Sequence, residues 1–393
     1  ADDEHKGFIH DCDTAKSDGG EHPDYGCGGA VTVRGASSVF TMDFYALIDD
    51  CYTDDAREDG GGLYVTDSAT VIMQGNARIT GCKADMAGGS VYMETANFIM
   101  KDTASISGGK VEHNNGGNVY IGGNGATFTM NDESTISGGH AKYSGGNIYA
   151  RGNDITLTMN GHSSITGGSC SNEDGGNVHI DGKSTFAMNE FASVKDGGAD
   201  NSGGKIYLAK GAKLIGRGVS PGYSLVINHG TADDCNGGNI CLNEGCTIDM
   251  ERAQFNNGIA EDDRVGLGGG LYVNSSSVEL RNVEIEGCES DLKGGGMYLT
   301  NCCDTCNITS SYISKNEGCS FGAGIFISNC KSVLNDVTVN DNHVEGNGGG
   351  ILVEGGNQCD IVKCNFYRNK VYKGHEGGNI YIGDNGGKTV CNI

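Results

Sequence analysis

The stretch that decides the fold is GGNVYIGGNGATFTMNDESTISGG, residues 116–139. After its first Gly pair, three segments show period-2 alternation of apolar and polar residues, at 118–121, 127–130 and 134–137. Such alternation predicts half-buried β-strands, and the Gly-rich segments between them predict turns. The stretch therefore predicts one coil of three short strands whose large apolar residues point to the same side.

This pattern recurs along the whole chain of 393 residues. The apolar residues that begin each coil are Val31, Leu63, Val91, Val119, Ile148, Val178, Ile206, Ile240, Leu271, Met297, Ile325, Ile351 and Ile380. Their spacing of 26 to 34 residues suits a coil whose turns tolerate insertions. Since no segment shows a helical period, we predict an all-β fold, a right-handed parallel β-helix (β-solenoid) of about 13 coils with three short strands per coil.

The coils are of two sequence types within one predicted solenoid domain, residues 1–393. Residues 1–230 carry coils of the GGNxY and FTMN type, and residues 231–393 carry coils of the GGGL and FxxN type that are richer in cysteine. One coil has too few apolar residues to bury by itself. Stacked neighbours join these residues into a continuous core, so the domain is expected to be stable only as a stack.

Charge and cysteine content limit the possible partners and compartments. A net charge of −24 argues against binding to nucleic acid and to anionic membrane surfaces. No apolar run approaches the roughly 18 residues of a membrane span, so no membrane insertion is predicted. Seventeen cysteines that follow the repeat favour an extracellular or cell-surface protein with disulfides, with buried free thiols as the alternative.

The repeat also resembles known families. The combination of GGNIY, FTMN and STISGG is similar to the GGGVY and FTMNGGTISGN repeats of adhesin-like surface proteins of anaerobic bacteria and methanogens. The later coils, with Gly349-Gly350-Ile351 and the FYRN motif at 366–369, resemble the GGAI and FxxN repeats of polymorphic outer-membrane autotransporters. These resemblances imply a β-helical surface protein without catalytic residues.

A column of aromatic residues marks the middle of the first strand. By alternation these side chains point outward, and the tyrosines among them are Tyr64, Tyr92, Tyr120, Tyr149, Tyr207, Tyr272, Tyr298 and Tyr381. Rings stacked at the strand spacing stabilise the sheet itself, which is the structural interpretation. The functional interpretation is a face that packs laterally against another solenoid or binds glycans.

A column of asparagines precedes the first strands. Asn118, Asn147 and Asn177 occupy the same turn position in consecutive coils, and Asn239 and Asn379 repeat it. Stacked side-chain amides can hydrogen-bond from coil to coil. We therefore predict a structural ladder.

Several cysteines share a position in neighbouring coils. Cys12, Cys51 and Cys82 each follow a third strand, and Cys302 and Cys330 each lie five residues after the start of a coil. Neighbouring coils bring such positions within disulfide range, so both groups are disulfide candidates. Cys303 and Cys306 form a CxxC motif, but no second CxxC or paired His lies in register, so no metal site is predicted.

Acid-rich turns leave two further alternatives open. They lie at Asp49-Asp50, Asp54-Asp55 with Glu58-Asp59, Asp233-Asp234 and Glu261-Asp262-Asp263. We predict no cofactor and interpret these turns as solvated corners, with calcium binding as the alternative. The fragment Asn228-His229-Gly230 near Asp233-Asp234 leaves a polysaccharide-degrading β-helix enzyme as the less favoured function.

The predicted ends of the solenoid suggest self-association. The chain begins at a third strand near Phe8 and closes where a second strand belongs, at 388–393. Copies joined in this order would continue the solenoid as a head-to-tail fibre. The sequence therefore predicts a non-catalytic, extracellular structural or adhesive protein that assembles into fibres, with a monomeric adhesin binding glycan or protein as the alternative.

Overall fold

The structure, a computed structural model, describes residues 7–14, 28–53, 58–220, 222–262, 265–356, 358–383 and 388–393. These residues divide into two compact units: unit 1 extends to Ala199, and unit 2 begins at Asp200. Each unit is built of parallel strands, and together they hold about twelve turns with three strands per coil. The described residues contain no helix that is long and apolar enough to span a membrane.

The first strands begin at the thirteen predicted residues, so that prediction is confirmed. In unit 1 they are Val31–Arg34, Leu63–Thr66, Val91–Glu94, Val119–Gly122, Ile148–Arg151 and Val178–Asp181. In unit 2 they are Ile206–Ala209, Ile240–Leu242, Leu271–Asn274, Met297–Thr300, Ile325–Ser328, Ile351–Glu354 and Ile380–Ile382.

The second strands form another parallel sheet in each unit. In unit 1 they are Val39–Met42, Thr70–Met73, Asn97–Met100, Thr127–Met130, Thr156–Met159 and Thr185–Glu190. In unit 2 they are Lys213–Gly218, Thr247–Glu251, Ser277–Arg281, Cys306–Thr309, Lys331–Asn335, Gln358–Val362 and Val390–Asn392.

The third strands complete each coil. In unit 1 they are Phe8–His10, Leu47–Asp49, Arg78–Thr80, Ser105–Ser107, Thr135–Ser137, Ser164–Cys170 and Ser193–Ala199. In unit 2 they are Leu225–Ala232, Ala253–Asn256, Glu284–Glu286, Tyr312–Ser314, Thr338–Asn340 and Asn365–Tyr367.

Most third strands are followed by a corner and a two-residue extension that sequence alternation did not predict. These extensions are Asp13–Thr14, Tyr52–Thr53, Lys83–Ala84, Lys110–Val111 and His140–Ala141 in unit 1, and Ile259–Ala260, Glu289–Ser290, Glu317–Gly318, His343–Val344 and Lys370–Val371 in unit 2. Two residues are too few for a periodic signal.

Identical core residues stack directly on one another, because the strands pair in register. Phe98 pairs with Phe128, and their fully buried rings stack with centroids 4.9 Å apart. Met100 pairs with Met130 on the same inward face. The core is therefore a set of apolar columns that no single coil could form. Burying each such side chain stabilises the fold by about 1.5–3 kcal/mol.

A Gly pair precedes every first strand except Ile325–Ser328, where Ala323 separates Gly322 from Gly324, and local geometry explains the preference for glycine. The first glycine, for example Gly88, has φ +64°, a backbone conformation that residues with a Cβ rarely adopt. The second, Gly89, lies so close to the neighbouring coil that a Cβ would be 2.3 Å from the carbonyl oxygen of Gly117. The pair therefore marks a close approach between successive coils.

Candidate functional site

The tyrosine column of unit 1 is a continuous stack of rings. Tyr64, Tyr92 and Tyr120 pair in register, with centroids 5.0 Å apart and ring planes within 3° of parallel. Tyr149 extends the stack at 5.5 Å, and His179 follows at 4.9 Å with its ring tilted by 44°. The predicted juxtaposition is therefore present, and the rings use their faces to contact one another.

These rings are more buried than an outward-pointing side chain would be. Tyr149 is only 6% exposed, and Tyr120 lies along its own strand, where a Cβ at Gly122 would be 3.0 Å from its Cε1. Burial raises the pKa of Tyr92, and the nearby carboxylates of Asp59 and Glu94 raise it further. What the column offers to solvent is an edge of half-buried rings next to charged side chains.

Those charged side chains are an acidic set with one arginine. Burial raises the pKa of Asp59 to about 7, and the charge of Glu94 adds to the shift. Arg151 Nε lies 4.0 Å from Asp181 Oδ2, and both act on the pKa of Tyr149, which burial raises. The tyrosine edge of unit 1, defined as Tyr64, Tyr92, Tyr120 and Tyr149, is therefore a polar surface with ionisable side chains beside it.

The corresponding column of unit 2 is interrupted. Tyr272 stacks on Tyr298 at 5.5 Å, and Tyr298 on Phe326 at 4.9 Å. Tyr207 pairs with Cys241, and Tyr381 pairs with Leu352, so neither contacts a ring in its pairing partner. Lys293 Nζ lies 4.5 Å from the centroid of Phe326 and 3.7 Å from Glu354 Oε1, so a charged pair lies beside this column.

The predicted asparagine column is a chain of hydrogen bonds inside unit 1. Asn118 Nδ2 donates to Asn147 Oδ1 at 2.7 Å, and Asn147 Nδ2 donates to Asn177 Oδ1 at 2.6 Å. All three side chains are fully buried. Each amide also serves the corner after a third strand: Asn147 Oδ1 accepts from the Gly139 amide, and its Nδ2 donates to the Thr166 carbonyl.

Unit 2 has a second asparagine chain, which the sequence analysis missed. Asn316 Nδ2 donates to Asn342 Oδ1 at 3.0 Å, and Asn342 Nδ2 donates to Asn369 Oδ1 at 2.9 Å. Asn369 in turn donates to Asn379 at 2.9 Å. The signal was available, since each of the first three lies three residues after the central apolar residue of a third strand, as Cys12, Cys51 and Cys82 do.

The cysteine column of unit 1 occupies that same corner position. Cys12, Cys51 and Cys82 stack in successive coils, and each thiol points toward the carbonyl two residues earlier. Hydrogen bonding from the thiol of Cys82 lowers the pKa of Cys51 to about 6. No disulfide bond joins any of the sixteen cysteines in the described part of the chain, so the disulfide pairings stay predictions.

A cluster of three cysteines forms in unit 2 where sequence analysis paired only two. Cys302 and Cys330 occupy equivalent turns of neighbouring coils, with sulfur atoms 2.7 Å apart. Cys306 begins a second strand, and the Sγ atoms of all three lie within 4.8 Å of one another. Cys306 and Cys330 are buried and Cys302 is half-buried. Cys303, the other member of the CxxC motif, is exposed and donates to the Ser275 carbonyl instead.

The acid-rich turns include one open pocket of about 480 Å³. Asp50 lines it together with Asp11, Asp85, Glu112 and Lys83. Four carboxylates line this pocket, where the calcium alternative stays a prediction. Asp54, Asp55 and Asp263 of the predicted turns lie outside the described residues.

The fragment proposed for catalysis lies at a corner. His229 has φ 58°, and its Nε2 lies 3.2 Å from Asn257 Nδ2 of the next coil, while its carbonyl accepts from the buried Lys205. Burial, with the neighbouring charge of Asp234, raises the pKa of Asp233. These contacts are of the kind that hold a corner in place.

Comparison with known proteins supports the fold. Residues 201–371 match the family model of the right-handed β-helix region, a little less than half of the chain. No match was found among curated proteins or among solved structures. Together with the parallel coils, the match shows a right-handed parallel β-helix, so the predicted fold class is confirmed.

Proposed function

We propose that this chain is a non-catalytic, extracellular structural or adhesive β-solenoid whose binding face is the tyrosine edge of unit 1. The observation that carries the proposal is the stack of Tyr64, Tyr92, Tyr120 and Tyr149, whose rings repeat at 5.0 to 5.5 Å. An edge that offers the same group at every coil suits a partner that is itself repetitive. A glycan polymer or a second solenoid packed alongside has that property.

The stacking restricts how a glycan would bind. Because the rings contact one another face to face, a sugar cannot stack on the faces between them. It would bind through hydrogen bonds to the tyrosine hydroxyls and to Glu94, Arg151 and Asp181 beside them. This interaction depends on the hydroxyls rather than on the rings, which separates binding from folding in an experiment.

The proposal of a non-catalytic, extracellular role has separate support. The GGNxY and FTMN repeats resemble those of adhesin-like surface proteins. His229, the best catalytic candidate of the sequence, takes part in corner contacts with Asn257 and Lys205. We also propose that copies of the purified chain assemble head to tail without another partner.

The test is a variant that keeps the rings and removes the hydroxyls. Tyr64→Phe/Tyr92→Phe/Tyr120→Phe preserves the stack, since Phe326 already stacks on Tyr298 in unit 2. The control, Tyr45→Phe/Tyr143→Phe/Tyr312→Phe, removes three hydroxyls from exposed tyrosines elsewhere. We expect saturable binding of the unmodified chain to a glycan array, loss of at least about 10-fold in affinity for the edge variant, and no loss for the control.

Electron microscopy and a product assay complete the test. Fibres or lateral bundles of the purified chain at high concentration would support the structural role, and bundles lost in the edge variant would assign the contact to these hydroxyls. Equal glycan binding and equal bundling by both triple variants would refute the edge as the binding face. Release of sugar products that stops in Asp233→Asn/Asp234→Asn would refute a non-catalytic function.

A further inference from the structure

The three cysteines at the first corner of two neighbouring coils in unit 2 converge on one point. Cys302 lies in the turn after Met297–Thr300, Cys330 lies in the turn after Ile325–Ser328, and Cys306 begins the second strand Cys306–Thr309. Their Sγ atoms all lie within 4.8 Å of one another. We infer that Cys302, Cys306 and Cys330 form a three-thiolate site for a thiophilic d10 cation, Zn²⁺ or Cu⁺.

The three sulfurs meet at a corner where the repeat carries a short insertion. Cys302 and Cys330 are equivalent residues, each two positions after the end of a first strand. Because Cys306 pairs with Ser332, Cys303-Asp304-Thr305 stand in the place of Lys331, and the coil of Cys302 is two residues longer at this corner. Cys306 is fully buried, as Ser332 is, and its sulfur lies close to those of Cys302 and Cys330.

The distances suit a metal ion after a small adjustment. A metal–sulfur bond of about 2.3 Å places three coordinated sulfurs about 3.8 to 4.0 Å apart. The outer limit of 4.8 Å in the cluster is close to that spacing. The pair Cys302 and Cys330, at 2.7 Å, must separate by about 1 Å, and Cys302 is the half-buried member of the cluster.

The chemistry of the donors selects the class of metal. Three sulfur ligands favour soft ions over Ca²⁺ and Mg²⁺, which take oxygen ligands. Each thiol would release its proton on binding. Zn²⁺ would keep a fourth position for water on the half-buried side of Cys302, whereas Cu⁺ is satisfied by three thiolates.

A disulfide between Cys302 and Cys330 is the competing use of the same atoms. A disulfide would use two of the sulfurs and would leave the third, that of the buried Cys306, outside the covalent bond. The metal site uses all three. The two outcomes exclude each other, so one experiment separates them.

The experiment titrates the full chain, reduced and stripped of metal without oxygen, with Cd²⁺ as a reporter of Zn²⁺ sites. We expect one tightly bound ion and a thiolate-to-cadmium charge-transfer band in the ultraviolet. Cys306→Ser should weaken this binding by more than about 100-fold, because even partners outside the coordination sphere cost 10- to 100-fold. The matched control is Cys303→Ser, which changes the adjacent exposed cysteine and should bind as the unmodified chain does.

A second measurement decides the case if Cys306→Ser does not fold. X-ray absorption of the cadmium-loaded unmodified chain should show three sulfur ligands, and competition between Cu⁺ and Zn²⁺ identifies the preferred ion. The site would be overturned if the spectrum showed two or fewer sulfur ligands, or if Cys303→Ser lost binding as Cys306→Ser does. It would also be overturned if a Cys302–Cys330 disulfide persisted in the folded chain after treatment with reductant.

Discussion

The two units fill one space in the coil with an amide from opposite sides, the space between the residue before the first strand and the corner after the third strand. The amides belong to Asn118, Asn147 and Asn177 in unit 1, and to Asn316, Asn342 and Asn369 in unit 2. In unit 1 the asparagine precedes the first strand and the corner after the third strand is glycine: a Cβ at Gly139 would lie 2.7 Å from Asn118 Nδ2. In unit 2 the corner is asparagine, and a Cβ at Gly296 would lie 2.9 Å from Asn316 Nδ2.

The exchange extends to the cysteine corners. A Cβ at Gly62 would lie 3.2 Å from Cys82 Sγ, and a Cβ at Gly270 would lie 3.1 Å from Cys288 Sγ. Lys205 takes the asparagine position opposite Gly230 and donates to a corner carbonyl, that of His229, as the amides do. In these coils one slot therefore holds one side chain, and the GGNxY and GGGL sequence types are two ways to fill it.

Removing an amide from the buried chain of unit 1 should have the largest effect. Asn147→Ala removes the hydrogen bonds to Gly139, Thr166 and the two neighbouring asparagines. Leaving several buried polar groups unsatisfied should lower the free energy of unfolding by about 3–5 kcal/mol, measured by urea denaturation. Asn160→Ala is the control, since that amide belongs to a half-buried surface chain with Asn189 and should cost about 1 kcal/mol. Equal losses would show that burial of the chain is not what matters.

The ring stacks of the two units offer the second test. Tyr92→Ala removes a ring that contacts Tyr64 on one side and Tyr120 on the other, and should cost about 2–3 kcal/mol. Tyr92→Phe should stay within about 0.5 kcal/mol of the unmodified chain, because unit 2 already carries Phe326 in this column. Denaturation midpoints distinguish the two, and a large loss in Tyr92→Phe would mean that the hydroxyl, not the stack, stabilises the sheet.

The position before the Gly pair carries opposite charges in two coils, Asp59 in unit 1 and Lys293 in unit 2. The pKa of native Asp59 is raised from 3.8 to about 7, so the folded state binds more protons between these values and stability falls as the pH rises through them. Asp59→Asn should therefore stabilise the chain by about 2 kcal/mol at pH 8 and by about half of that at pH 5.5.

Urea denaturation at the two pH values measures this gain. Asp67→Asn, which removes a charge from an exposed side chain of the same unit, controls for the change in net charge. A gain that is the same at both pH values would contradict a buried carboxyl at Asp59.

Sequence periodicity predicts the strands well and the corners poorly. Every first strand begins at its predicted residue, because the Gly pair and the alternation that follows act within a few residues. The asparagine corners of unit 2 were missed although their spacing of three residues after the central apolar residue of a third strand is visible in the sequence. The role of Cys306 was missed because it depends on which residues neighbouring coils bring together. For Cys306 a net insertion of two residues between it and Cys302 also hides the repeat register.

The most direct test of the shared slot is a double-mutant cycle in unit 2. Gly296→Asn alone should crowd the slot, Asn316→Gly alone should empty it and break its hydrogen bond to Asn342, and the double variant should rebuild the unit 1 arrangement. Urea denaturation of the four proteins measures the free energy of unfolding of each. We expect the loss in the double variant to be smaller than the sum of the two single losses by about 1–2 kcal/mol. Additive losses, to within about 0.5 kcal/mol, would contradict a single slot filled from either side.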